Sequence, residues 1–134
     1  MNSLKSLIVG LALTVAAAPA LADPIVVSSK IDTEGNLLGN IVLQVLESHG
    51  LPVTNKVSLG STPIVRKAIA NGEIDIYPEY TGNAAFFFNK ADDSAWKDAA
   101  KGYEEAKKLD YDANKIVWLT PAPANNTWAI ALRE

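Results

Sequence analysis

Two helix-patterned segments, each set between short β-branched or apolar runs, constrain this chain more than any other feature. Ile25, Val26 and Val27 follow Pro24 and lead into Ser28 and Ser29. Three successive β-branched residues read as a strand buried on both faces. Leu37, Leu38, Ile41, Val42, Val45 and Leu46 then recur at three-and-four spacing, with Thr33 as the expected N-cap, Glu34 in the first turn and Gly50 as the stop before Pro52. The plan repeats. Residues 57–59 read as strand, Thr62 as cap, Pro63 as first-turn proline, Ile64, Val65, Ala68 and Ile69 as the apolar face, and Gly72 as the stop. Residues 74–77, Ile-Asp-Ile-Tyr, form a third strand pattern. Strand, helix, strand, helix, strand predicts an α/β domain with a mainly parallel sheet flanked by helices.

Beyond this unit the chain is more polar. Trp96, Ala99, Ala100, Tyr103, Ala106 and Lys107 predict an amphipathic helix over 91–108 with a charged, solvated outer face, and residues 115–119 and 127–132 predict two further strands.

Residues 1–22 stand apart. MNSLK, an apolar run of about a dozen residues and the small-x-small ending Ala20-Leu21-Ala22 read as a cleaved secretory signal, too short for the roughly 20 residues of a spanning helix. The expected mature chain begins at Asp23, is exported to the periplasm, and carries no lipid, since the chain has no cysteine. Lys5 is the leader's one charged side chain, so its removal takes the net charge from −3 to −4. Such a chain has no attraction for a phosphate backbone, and no nucleic-acid partner is expected.

The pattern also narrows the chemistry. His49, the one histidine, sits before Gly50 at a helix end, where a partly positive ring is mildly favoured, and no serine–histidine pairing is indicated. Glu73, Asp75 and Glu79 lie along one strand and its exit with no second cluster, so neither a metal nor a cofactor is expected. Gly35 and Gly39 fall inside the first helix pattern, and close packing accounts for them without a phosphate loop.

What remains is "GEIDIYPEYTGN", residues 72–83. Ligands of parallel α/β sheets bind at the carboxyl ends of strands, and Pro78 ends the third strand here. A tyrosine beyond it offers an electron-rich face to a cation and a hydroxyl to a polar group. Tyr77 is assigned to the sheet, Tyr80 to the ligand, and Glu79 to a structural pairing.

With "SSKIDTEGNLLGNIVLQVLESHG", "LGSTPIVRKAIANGEIDIYPEYTGN" and "TPAPANNTWAIALRE" in view, the chain resembles the quaternary-amine substrate-binding proteins of ABC importers, those for glycine betaine, choline, carnitine and proline betaine. It is most similar to an osmotically induced member. The resemblance implies a type II periplasmic binding protein that closes on a small quaternary-amine ligand, without catalysis, and delivers it to ABC permease subunits driven by a cytoplasmic ATPase. A monomer is expected for the complete receptor. Carried over by position, Lys30 matches a carboxylate-binding lysine, Tyr80 a cage tyrosine, Asn83 the threonine ending an E-Y-T-G-T motif, and Trp128 a further cage tyrosine. Asn83 and Trp128 depart from the usual residues, which implies a retuned cage. Family members run to roughly twice this length, so residues 23–134 are expected to supply the first lobe, with the second lobe missing from this sequence. Two alternatives remain open: an interaction protein derived from a truncated lobe, or an enzyme on the same lobe with Glu79 as base.

Overall fold

The computed structural model describes residues 23–124 together with 126 and 133. Strand β1 (Ile25–Lys30) leads to helix α1 (Thr33–Ser48), strand β2 (Val53–Gly60) and helix α2 (Thr62–Ala70). The short α3 (Ala84–Phe87) and long α4 (Ala99–Asn114) follow, each preceded by a 3-10 turn, Thr81–Asn83 and Ser94–Lys97.

β1 and β2 pair in parallel from Ile25↔Val53 to Ser28↔Lys56, and the register then slips so that Lys30 faces Gly60. Ser58 absorbs the slip with φ of 62° and donates its backbone N–H to Ser29 Oγ at 2.9 Å. The expected third strand is reduced to one parallel bridge, Val27↔Ile76. Its place beside β1 is as predicted, but the ladder is cut short. The Asp75 carboxylate takes the Val26 N–H at 2.7 Å, and Pro78 has no N–H to extend the pairing.

The helices stop where predicted, at Gly50 (φ 73°) and Gly72 (φ 71°), both in the left-handed region that glycine enters without strain. Their starts lie one residue earlier than the expected caps. Asp32 caps α1 by accepting from Gly35 N at 2.7 Å, and Ser61 holds the N-cap position of α2.

Val65, Ala68 and Ile74 form the buried core, joined by Val26, Ile69 and Tyr77. α1 approaches β1 so closely that a Cβ on Gly39 would stand 2.7 Å from Ser29 Cβ, so close packing does account for this glycine. The seated face of α1 is Gly35, Gly39 and Leu43, whereas Leu37, Ile41 and Val45 of the predicted apolar face are exposed.

The helix predicted over 91–108 begins later and runs further. Asp98 caps α4 by accepting from Lys101 N at 2.9 Å, while Trp96 sits in the preceding turn with its indole N–H on Lys90 O at 2.7 Å. Gly102, Ala106 and Asp110 are the buried positions of α4. Asp110 is fully buried rather than solvated, because Arg66 of α2 grips both its oxygens and Trp118 Nε1 donates to Oδ2 at 2.6 Å. Those bonds, with Tyr103 Oη donating to Trp118 O at 3.3 Å, hold residues 115–119 against α4 without the predicted strand pairing. The predicted strand 127–132 and the leader 1–22 lie outside the described residues.

Candidate functional site

The carboxyl end of β1 and the exit of the 74–77 segment are neighbours in the sheet, so whatever follows each must meet. Lys30 ends β1, and the chain past Ile76 delivers Tyr77, Glu79 and Tyr80 before the 3-10 turn that carries Asn83.

Lys30 and Glu79 form an ion pair with side chains only 5% and 7% exposed. Glu79 Oε1 accepts from the Lys30 ammonium, from Tyr80 N at 2.7 Å and from Asn83 Nδ2 at 2.7 Å. Its Oε2 accepts from Tyr77 Oη at 2.9 Å. The Lys30 ammonium also lies 4.2 Å from the centroid of the Tyr80 ring. One carboxylate thereby gathers Lys30, Tyr77, Tyr80 and Asn83 into a single cluster. Burial of this kind is tolerable because each charge is paired and hydrogen-bonded.

Tyrosine electrostatics follow from this arrangement. Burial first, then the adjacent Glu79 carboxylate, holds the Tyr77 hydroxyl protonated well above its ordinary value. Burial, then Glu34, Asp32 and Glu79, pushes the Tyr80 hydroxyl up to about 12. The surroundings of Tyr80 are thus rich in negative charge, a setting that favours a cation beside its ring.

Three of the four residues proposed from the sequence, Lys30, Tyr80 and Asn83, meet in this cluster; Trp128 lies outside the described residues. Tyr77 packs on the core, as assigned, and its hydroxyl also belongs to the cluster. Glu79 is indeed a pairing residue, but it is the hub of the site rather than a remote support. The clue in the sequence was a lysine and a glutamate placed just at the carboxyl ends of two adjacent parallel strands.

Beside Asn83, an open depression of about 520 Å³ is lined by Thr62, Pro63, Arg66, Lys67, Phe86 and Phe87. Arg66 lies 4.5 Å from the Phe87 centroid while it pairs with Asp110. His49 keeps its helix-end role, with Nδ1 at 2.8 Å from Val45 O. Among the described residues, no group of three or more histidine, aspartate or glutamate side chains is arranged to hold a metal ion.

The model of the OpuAC family, the substrate binding domain of ABC-type glycine betaine transport systems, matches residues 23–134. The chain belongs to that family. This OpuAC chain is 69% identical over 113 residues to the glycine betaine-binding protein YehZ of Escherichia coli, covering 84% of the chain and 37% of YehZ. It is 39% identical to a glycine-betaine-binding protein of Pseudomonas aeruginosa, across its whole length and 42% of that protein. More distantly, it is 28% identical over 119 residues to the ergothioneine transport permease/ergothioneine binding protein EgtU of Helicobacter pylori, covering 83% of the chain and 20% of EgtU.

The solved structure of apo YehZ from E. coli matches with a TM-score of 0.78 at 70% identity, over 80% of this chain and 38% of that one. The expected α/β architecture of a periplasmic binding protein is therefore the one this OpuAC chain adopts. The chain spans about two fifths of the length of the two glycine betaine-binding relatives.

Proposed function

We propose that this OpuAC chain is the substrate-binding component of an ABC importer for glycine betaine or a related quaternary-amine osmoprotectant. In this reading residues 1–22 are a cleaved signal, residues 23–134 are the first lobe of a two-lobed receptor, and the protein works in the periplasm. It delivers ligand to permease subunits coupled to a cytoplasmic ATPase, and no chemistry is assigned to Glu79.

The observation that carries the reading is the Tyr80 ring at the carboxyl edge of the sheet, already in contact with a cation and surrounded by carboxylates. A quaternary ammonium has no N–H to donate, so ring faces must recognise it, each contributing about 0.5–2 kcal/mol. Lys30, Tyr80, Asn83 and Trp128 are the proposed ligand-facing residues. The family match and the glycine betaine-binding relatives support the ligand class.

Calorimetric titration of the exported protein with glycine betaine and with choline tests the reading. Saturable one-to-one binding of either supports it, and no heat above a sodium chloride control at millimolar ligand would sink it.

A further inference from the structure

Tyr80 and Asn83 sit on a stretch of chain with little regular structure of its own. The 3-10 turn Thr81–Asn83 has three residues and runs straight into α3, which has four. Neither is long enough to hold its shape alone, because helix nucleation costs more than a single turn returns. The stretch is therefore fixed by what it is seated on. On one side the Phe87 ring lies 4.5 Å from the Arg66 guanidinium of α2. On the other, Thr81 Cγ2 comes within 3.7 Å of the place that a Cβ on Gly102 of α4 would take, and the Lys90 ammonium just past α3 pairs with Glu105 of α4 at 2.7 Å.

We propose that the buried Arg66–Asp110 pair is the positioning device of this stretch, clamping α2 to α4 so that the chain seated on both holds Tyr80 and Asn83 in place at the site. The inference rests on the receptor reading above and adds to it two residues that act through others. Arg66 donates to both oxygens of Asp110, and a planar guanidinium set against a carboxylate fixes orientation as well as distance. Asp110 is itself held, because Trp118 Nε1 reaches Oδ2 at 2.6 Å and Asn114 Nδ2 reaches Oδ1 at 3.3 Å. Arg66, Phe86, Phe87 and Asn83 line the same open depression, so the clamp and the site residue share one surface.

A buried ion pair is an indifferent source of net stability, since desolvating two charges offsets most of their attraction. What this pair supplies is a single geometry between two helices, where uncharged side chains could slide. The geometry matters at Asn83, whose Nδ2 reaches Glu79 Oε1 at 2.7 Å, the oxygen that also accepts from the Lys30 ammonium. A shift of about 1 Å removes a hydrogen bond of that length. Arg66 has a second line to the cluster. Burial and the Glu79 carboxylate hold the Tyr77 hydroxyl protonated, and the Arg66 charge acts against them, so the guanidinium lies within electrostatic reach of the group that donates to Glu79 Oε2.

The test is calorimetric titration of the exported protein and its variants with glycine betaine and choline, together with amide hydrogen exchange of the ligand-free proteins. Arg66→Met with Asp110→Asn removes both charges and leaves an acceptor for Trp118 Nε1, so its thermal melt is expected to show a folded protein. Its affinity for the ligand is expected to fall about tenfold. Amides of residues 83–90 are expected to exchange about tenfold faster, with those of β1 and β2 unchanged. In an Asn83→Ala background the same two substitutions are expected to cost only about twofold in affinity, because the contact they displace is already gone. Arg66→Lys keeps the charge and loses the fork; it is expected to weaken binding about threefold and decides the matter if the double variant does not fold. Unchanged protection of residues 83–90, or one common factor of affinity lost with and without Asn83, would overturn the clamp while leaving the receptor intact. A wild type that binds neither ligand would instead remove the receptor reading, and the exchange rates would then decide by themselves whether the pair holds the stretch.

Discussion

The Lys30 ammonium lies 4.2 Å from the centre of the Tyr80 ring while paired with the Glu79 carboxylate, so one cation joins an aromatic face to a buried acid. Both side chains are almost wholly out of water, and removing one strands the other. Lys30→Met is expected to lower unfolding stability by about 3–5 kcal/mol, and Lys30→Met combined with Glu79→Gln, which removes the stranded charge and keeps an acceptor for Tyr80 N and Asn83 Nδ2, to recover most of that loss. Urea denaturation of the three proteins checks this; a double variant no more stable than Lys30→Met would show that the charges are not coupled.

Asp110 poses the same test away from the site. It is fully buried, takes Arg66 at both oxygens, and receives Trp118 Nε1 at 2.6 Å and Asn114 Nδ2 at 3.3 Å. Asp110→Ala should cost about 3–5 kcal/mol by leaving Arg66 unpaired and should release the 115–119 segment from α4. Denaturation followed by Trp118 fluorescence reads both effects, and a change within about 0.5 kcal/mol would contradict the account.

Gly39 is a steric prediction. With a Cβ placed 2.7 Å from Ser29 Cβ, Gly39→Ala must push α1 off β1. The expected loss is about 1–3 kcal/mol, despite alanine's better helix propensity. A variant as stable as the wild type would mean that α1 moves without cost.

These residues also show what the sequence could convey. The parallel β1–α1–β2–α2 unit was legible because apolar periodicity and the glycine stops at 50 and 72 are local signals. Cap positions missed by one residue, since Asp32 and Ser61 precede the threonines that also look like caps. The third strand was overextended because alternation cannot reveal that the Asp75 carboxylate takes the Val26 N–H. Asp110 lay beyond the predicted helix of 91–108 and drew no notice, because its partner Arg66 is 44 positions away. At the site, residue type and strand-end position identified Tyr80, and the family resemblance added Lys30 and Asn83, whereas Glu79 emerged as their common acceptor only when two strand ends were placed side by side.

Alkaline stability follows from Tyr77. Its folded pKa is raised, by burial first and then by Glu79, so the neutral hydroxyl favours the folded chain. The contribution is fully present below the unfolded tyrosine pKa of about 10 and is lost as pH rises above it, at up to about 1.4 kcal/mol per pH unit for this one proton. Denaturation between pH 9 and 11 should therefore show a steeper decline for the wild type than for Tyr77→Phe. Equal slopes would remove Tyr77 as the cause.

The most direct test of the central claim is a titration of the exported protein and its Tyr80→Ala variant with choline and glycine betaine. The account predicts saturable binding in the wild type and a loss of roughly tenfold or more in the variant, with its thermal melt showing a folded protein. Equal affinity in the two proteins would place the ligand elsewhere and contradict the assignment of Tyr80 as the face that receives the cation.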